Sequence, residues 1–141
     1  MKKNYLNNLK INKVKIIKNK KGNILKLFNI NNLSKKKNIE IYISEIKPQK
    51  IKAWRSHNLS TQNILILEGK CLIVLYHNNI YKKFLLTYKS NKILKIPPKI
   101  FYGYKNLGSN TVKILNLINM KYNDSEIIRL KQNSIKFNWQ K

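Results

Sequence analysis

The chain is poor in most of the residues that build specialised sites. It has one cysteine, Cys71, so an internal disulfide framework and any Cys-x-x-Cys redox or metal motif are excluded. It has two histidines, His57 and His77, too few for the His-rich ligand sets of most metal enzymes. Acids number five (Glu40, Glu45, Glu68, Asp124 and Glu126) against 30 basic residues, giving a net charge of +25. Arginine is almost missing, with only Arg55 and Arg129. The longest unbroken apolar run, Cys71 to Tyr76, is far short of the ~20 residues that span a bilayer. After Lys2-Lys3 the chain reads Asn-Tyr-Leu-Asn-Asn and not the apolar core of a signal peptide. These absences point to a cytoplasmic chain with no membrane partner.

A +25 charge invites a nucleic-acid reading. Composition argues against it. Lys, Ile, Asn and Tyr supply 80 of the 141 residues, and all four have A/T-rich codons. Nucleic-acid readers favour arginine for bidentate contacts, whereas here lysines are scattered, with short runs only at Lys18–Lys21 and Lys35–Lys37. The charge is read as a solvated surface shaped by codon bias.

With 43% hydrophobic residues the chain can bury a core. The length predicts one domain: a loosely held basic segment over 1–10, then a folded domain over 11–141. Apolar runs are short and separated by turn signals. Ile39, Ile41 and Ile43 alternate with Glu40, Tyr42 and Ser44, the period of a half-buried strand. Ile64–Leu67 and Cys71–Tyr76 flank Gly69 and predict a hairpin; His77-Asn78-Asn79 predicts the next turn. Further strands are expected at 24–28, 81–86, 93–96 and 112–118, with Pro97-Pro98 and Asn106-Leu107-Gly108 between them. No stretch holds a helical period, so the fold class is all-β, a sandwich or barrel.

Four ordered segments then carry a family resemblance. They are Lys20-Lys21-Gly22-Asn23-Ile24-Leu25; Ile51 to His57 with Thr61-Gln62-Asn63; Glu68-Gly69-Lys70 through Tyr76; and Ile96-Pro97-Pro98 through Gly108. Together, over about residues 11–139, they resemble a short cupin of the dTDP-4-dehydrorhamnose 3,5-epimerase-like group. The resemblance implies a double-stranded β-helix (jelly roll), a homodimer and a nucleotide-sugar pocket; no cofactor is expected, and with only His57 in the region where metal-binding cupins carry their histidines, no metal. Such enzymes remove a proton beside a ketone, stabilise the enolate and return the proton. His57 matches the family's base. Tyr102 replaces a His of the Pro-Pro loop and is a candidate phenol for returning the proton, as are Tyr104 and Tyr122. Arg55 stands at a first-His position and could hold phosphate. Gln62 and Asn116 fall at the family's lysine and acid-tyrosine positions, which places Arg55, Gln62, Tyr104 and Asn116 around the substrate. The carboxylate that pairs with the base has no equivalent at Lys131 or Gln132, leaving Glu40 or Glu45 as stand-ins.

Two readings follow: an epimerase or isomerase acting on a dTDP-4-keto-6-deoxy sugar in surface polysaccharide synthesis, or a degraded cupin that binds such a ligand without turnover. Trp54, Trp139 and Cys71 are read as core residues, Cys71 as inert, and His77 as having no functional part.

Overall fold

A computed structural model describes residues 5–29 and 38–140. The Lys35–Lys37 run and the patch Ile30 to Asn32 lie outside them. The elements are β1 (Lys10–Lys13), β2 (Lys15–Ile17), β3 (Ile24–Lys26), β4 (Glu40–Ile46), β5 (Ile51–His57), β6 (Gln62–Glu68), β7 (Lys70–His77), β8 (Ile80–Thr87), β9 (Lys92–Ile96), β10 (Phe101–Asn106), β11 (Val112–Ile118) and β12 (Ile127–Arg129). One sheet runs β1-β9-β6-β11-β4 and the second β12-β5-β10-β7-β8, while β2 and β3 form a separate hairpin. Every strand pairing is antiparallel. This is the expected jelly roll.

The two sheets face each other over Ile64, Ile66, Ile73, Leu75, Leu94, Ile96 and Ile114, each at most 2% exposed. These residues form a buried apolar core between the sheets. Leu6 also belongs to this cluster. The 3-10 turn Tyr5–Asn8 packs on the barrel through Leu6.

The predicted hairpin at Gly69 does not form. β6 pairs with β9 and β11, while β7 pairs with β8 and β10. Gly69, at φ +85°, carries the chain from one sheet to the other. A Cβ there would lie 2.7 Å from a Val112 methyl, so the crossing needs glycine for space as well as for its backbone angle. Both flanking strands are apolar because both are core strands, and a local pattern cannot tell that from hairpin pairing. The true hairpin is β7–β8, closed by Asn78 and Asn79 at φ 48° and 62°, the left-handed pair that a two-residue turn requires.

β4 keeps its predicted period but inverts its predicted face. Ile41 and Ile43 are exposed, at 59% and 55%, while Tyr42 and Ser44 turn inward. The edge strand borders a polar cavity, so its polar phase lines the interior. On the far side of the second sheet, Trp54, Leu72 and Val74 are covered by Ile135 and Trp139 from the C-terminal tail. Gly103 allows that cover to close: a Cβ there would meet Ala53 Cβ at 2.7 Å and the Trp139 ring at 2.9 Å.

Candidate active site

Side chains alternate across a strand. On β10, Tyr102 and Tyr104 therefore enter the barrel while Gly103 faces the tail. On β5, Trp54 packs outward beneath Trp139 and Phe137, with ring centroids 5.2 and 6.2 Å away, and its Nε1–H donates to the Gln132 carbonyl at 3.0 Å. Trp54 is core, as expected. The opposite phase of β5 carries Arg55 and His57 inward, and Tyr102 lies directly across from Arg55.

His57 is 5% exposed and fully engaged. Its Nδ1 lies 2.7 Å from Glu126 Oε1 and its Nε2 2.9 Å from the Tyr102 hydroxyl. The Glu126 carboxylate also accepts from the Ser60 hydroxyl at 2.6 Å and from the backbone N–H groups of Leu59 and Ser60 at 2.9 and 3.3 Å. An ionised carboxylate only accepts, so Nδ1 carries the imidazole proton and Nε2 accepts from Tyr102. Burial lowers the His57 pKa, against the opposing hydrogen bond and charge of Glu126; Arg55 and Arg129 lower it further. Burial opposes the charge on Glu126, but the bonds from Ser60, His57 and the two backbone N–H groups outweigh it and bring its pKa to about 2. The pair is thus a neutral imidazole on a carboxylate.

Glu126 corrects the search for a partner at Glu40 or Glu45. Glu40 instead accepts from the Tyr122 backbone N–H, and Glu45 stands on the exposed phase of β4. Glu126 closes a 3-10 turn capped by Asn123. The register Ile127↔His57, with the Asn58 N–H donating to the Glu126 carbonyl at 2.9 Å, brings the turn against the base. Sequence counting could not find it, because a pairing between strands about 70 residues apart sets the contact.

Acid destabilisation follows with a defined sign. Both groups have lowered pKa values, so each contributes stability at high pH that is lost as pH falls. Below the ordinary histidine value of 6.5 the unfolded chain takes up a proton that His57 resists. From 4.5 down toward about 2 the same holds for Glu126. Urea midpoints measured against pH are expected to decline across both ranges, and Glu126→Gln is expected to lessen the lower decline, leaving the part that comes from Asp124, whose carboxyl is also lowered by Tyr122 and Arg129. An unchanged acid limb in that variant would contradict the assignment.

In front of Tyr102 lies a cavity of about 360 Å³ lined by Tyr42, Ser44, Lys52, Arg55, Tyr104, Asn116 and Arg129, among others. Of the residues read from sequence, Arg55, Tyr102, Tyr104 and Asn116 line it. His57 stands behind Tyr102, and Gln62 is buried outside the lining, bonded to Ser60 and Asn116. Tyr122 is exposed and donates to Asp124 while accepting from Arg129. Burial raises the pKa of Tyr102 and of Tyr104, so neither phenol ionises alone near neutrality. Three cations, Lys52, Arg55 and Arg129, meet at one cavity; Arg129 is aimed by Asp124 at 2.7 Å. Sequence reading passed over Tyr42, Lys52 and Arg129. The only signal for Tyr42 was its polar phase on β4.

Cys71 is fully buried, with its thiol pKa pushed up to about 12 by burial, in keeping with an inert core residue. His77 has its Nδ1 3.3 Å from the Lys99 carbonyl and packs edge-on to Tyr5. Among the described residues no group of three His, Cys, Asp or Glu is placed to hold a metal, and no helix is long and apolar enough to cross a membrane.

Residues 7–139 match the family described as FdtA: WxcM-like, C-terminal. The chain belongs to that family. Among solved structures it is similar to a dTDP sugar isomerase from Desulfovibrio desulfuricans G20, at 25% identity over 93% of this chain and 90% of that one, with a TM-score of 0.82. It is also similar to the WlaRB TDP-quinovose 3,4-ketoisomerase from Campylobacter jejuni (23% identity, 87% and 93% coverage, TM-score 0.75). A dTDP-4-dehydrorhamnose 3,5-epimerase from Bacillus anthracis str. Ames shares the fold at 12% identity, 94% and 83% coverage and a TM-score of 0.78. No curated protein sequence matches the chain. The chain is thus a cupin similar to sugar-nucleotide isomerases and epimerases, and the likeness to the epimerase-like group read from its motifs holds.

Proposed function

We propose that this cupin is an isomerase that enolises a nucleotide-linked 4-keto-6-deoxy sugar and moves the ketone from C4 to C3. One observation carries the reading: the Glu126–His57–Tyr102 series ends at a cavity ringed by Lys52, Arg55 and Arg129. The cations suit a pyrophosphate, with arginine supplying forked contacts. Tyr102 faces the sugar. Its oxygen takes the proton from C3 while its own hydroxyl proton passes to His57 Nε2, and Glu126 stabilises the resulting imidazolium. The raised pKa of Tyr102 requires this coupling, because a free phenolate is not available.

Tyr42 serves the oxygen side. Its hydroxyl accepts from Asn116 Nδ2 at 2.8 Å, and no protein acceptor takes its proton among the described residues. That proton is free to bond the C4 oxygen, where charge develops. As the enediolate collapses, the C3 hydroxyl proton passes to the C4 oxygen, so that C3 becomes the ketone and C4 the alcohol, and C4 is reprotonated by the reverse relay through Tyr102. Ketone transfer is favoured over epimerisation because the isomerase neighbours stand at 21–25% identity and the epimerases at 12–14%. The family resemblance adds a cytoplasmic place, a role in surface polysaccharide synthesis and a homodimer.

Incubation with dTDP-4-keto-6-deoxyglucose in D2O tests the reading. The expected result is deuterium at C4 of a 3-keto product. Deuterium at C3 and C5 of a 4-keto product would make the chain an epimerase. Tight binding with neither deuterium uptake nor movement of the ketone would make it a cupin that holds the ligand without turnover.

A further inference from the structure

Glu126 is the acceptor for a second series of hydrogen bonds that the reaction above does not use. The Ser60 hydroxyl donates to Glu126 Oε1 at 2.6 Å and accepts from Gln62 Nε2 at 2.8 Å. Gln62 Oε1 accepts from Asn116 Nδ2 at 2.6 Å, and the same amide nitrogen donates to the Tyr42 hydroxyl at 2.8 Å. Ser60, Gln62 and Asn116 are all at most 3% exposed. We propose that Ser60, Gln62 and Asn116 are positioning residues that hold Tyr42 as a hydrogen-bond donor to the cavity, with the polarity of the whole series set by the Glu126 carboxylate.

The direction follows from donor and acceptor counting. A carboxylate cannot donate, so the single Ser60 proton goes to it. Ser60 must then accept from Gln62, which fixes the Gln62 amide with its oxygen toward Asn116. Asn116 must present its NH2, and Tyr42 receives from it. The phenol's own proton is left to point elsewhere. A second observation supports this order: Asn116 Oδ1 is buried and has no partner. Turning the amide over would let Oδ1 accept from Tyr42, but it would set two carbonyl oxygens against each other at Gln62. An unpaired buried acceptor is costly, and the series keeps it in place.

The two phenols at the cavity therefore have opposite polarity set by one carboxylate. Tyr102 spends its proton on His57 and offers an oxygen, while Tyr42 receives from Asn116 and offers a proton. This inference rests on the reading that Tyr42 and Tyr102 face the sugar. The titratable and charged groups around the series are Glu126, His57, Tyr42, Tyr102, Tyr104, Lys52, Arg55 and Arg129.

The test reads Tyr42 without ligand or turnover. The protein is labelled with [13Cζ]tyrosine and the Tyr42 resonance assigned by Tyr42→Phe. In Gln62→Leu the series is cut, Asn116 is free to turn, and the resonance is expected to shift. Gln62→Glu is the retaining variant: a carboxylate there still accepts from Asn116, so Asn116 keeps its NH2 toward Tyr42 and that polarity is expected to persist. Asn116→Asp is the reversing variant. Its carboxylate cannot donate, so Tyr42 must donate to it and the resonance is expected to shift. If Gln62→Leu does not fold, Asn116→Asp decides alone. A wild-type resonance in either folded variant, Gln62→Leu or Asn116→Asp, would overturn the proposal. Deuterium exchange is scored separately, so failure of the isomerase reading leaves this result intact and the reverse.

Discussion

His57→Asn is expected to slow deuterium incorporation into the sugar by about 10²–10⁴-fold, the usual contribution of a positioned general base. Ligand affinity is expected to stay near the wild-type value. The reason is geometric. His57 is buried behind Tyr102 and does not line the cavity, so the ligand's resting contacts do not include it. The loss then falls on kcat and not on KM. Tyr102→Phe is expected to match it in rate, because both steps of the relay pass through that hydroxyl, 2.9 Å from Nε2. The measurement is a single-turnover exchange rate together with a binding isotherm for TDP. A His57→Asn protein that exchanges at the wild-type rate would remove the imidazole from the reaction.

Trp54→Ala is expected to cost about 3–5 kcal/mol of stability, as large-to-small substitutions at buried aromatics do. At this chain length that corresponds to a fall in Tm on the order of 10 °C. Trp54 is 2% exposed and touches the rings of Tyr76, Phe137 and Trp139. Removing it leaves a hole beneath the C-terminal tail and releases the Gln132 carbonyl from its donor. Backbone bonds between Trp54 and Leu130 hold the end of β12 beside β5, so Glu126 and Arg129, which flank or belong to that strand, are expected to lose their positions too. Urea unfolding followed by fluorescence of Trp139 gives the stability. Leu59→Ala, at a side chain 60% exposed, is the control and is expected to stay within ~0.5 kcal/mol. A Trp54→Ala midpoint equal to that of the control would show that the tail does not depend on this contact.

The strands were legible because their determinants are local. Apolar runs bounded by Gly69, Asn78-Asn79 and Pro97-Pro98 mark β6 to β9 closely, while β10 lies in a stretch read as loop. Their partners were less so. Gly69 looked like a hairpin turn and is a crossing between sheets, since φ above zero serves either purpose. The β4 alternation had the right period and the wrong face, because the pattern cannot report that the interior beside an edge strand is a polar cavity. In the site, the motif Trp54-Arg55-Ser56-His57 drew attention to the base, and Tyr102 was found through the Pro-Pro loop. Gln62, expected at the ligand, lies one hydrogen bond behind it.

Chain composition and motif order alone determined the β-rich class, the single buried thiol, the core tryptophans and the imidazole at position 57. These depend on a residue's own chemistry or on close neighbours along the chain. The tertiary structure decided which carboxylate backs that imidazole, which phenol stands before it, and which cations share the cavity. Those relations join residues dozens of positions apart, and the pairing of β12 and β10 with β5 and of β11 with β4 and β6 brings them within hydrogen-bonding distance.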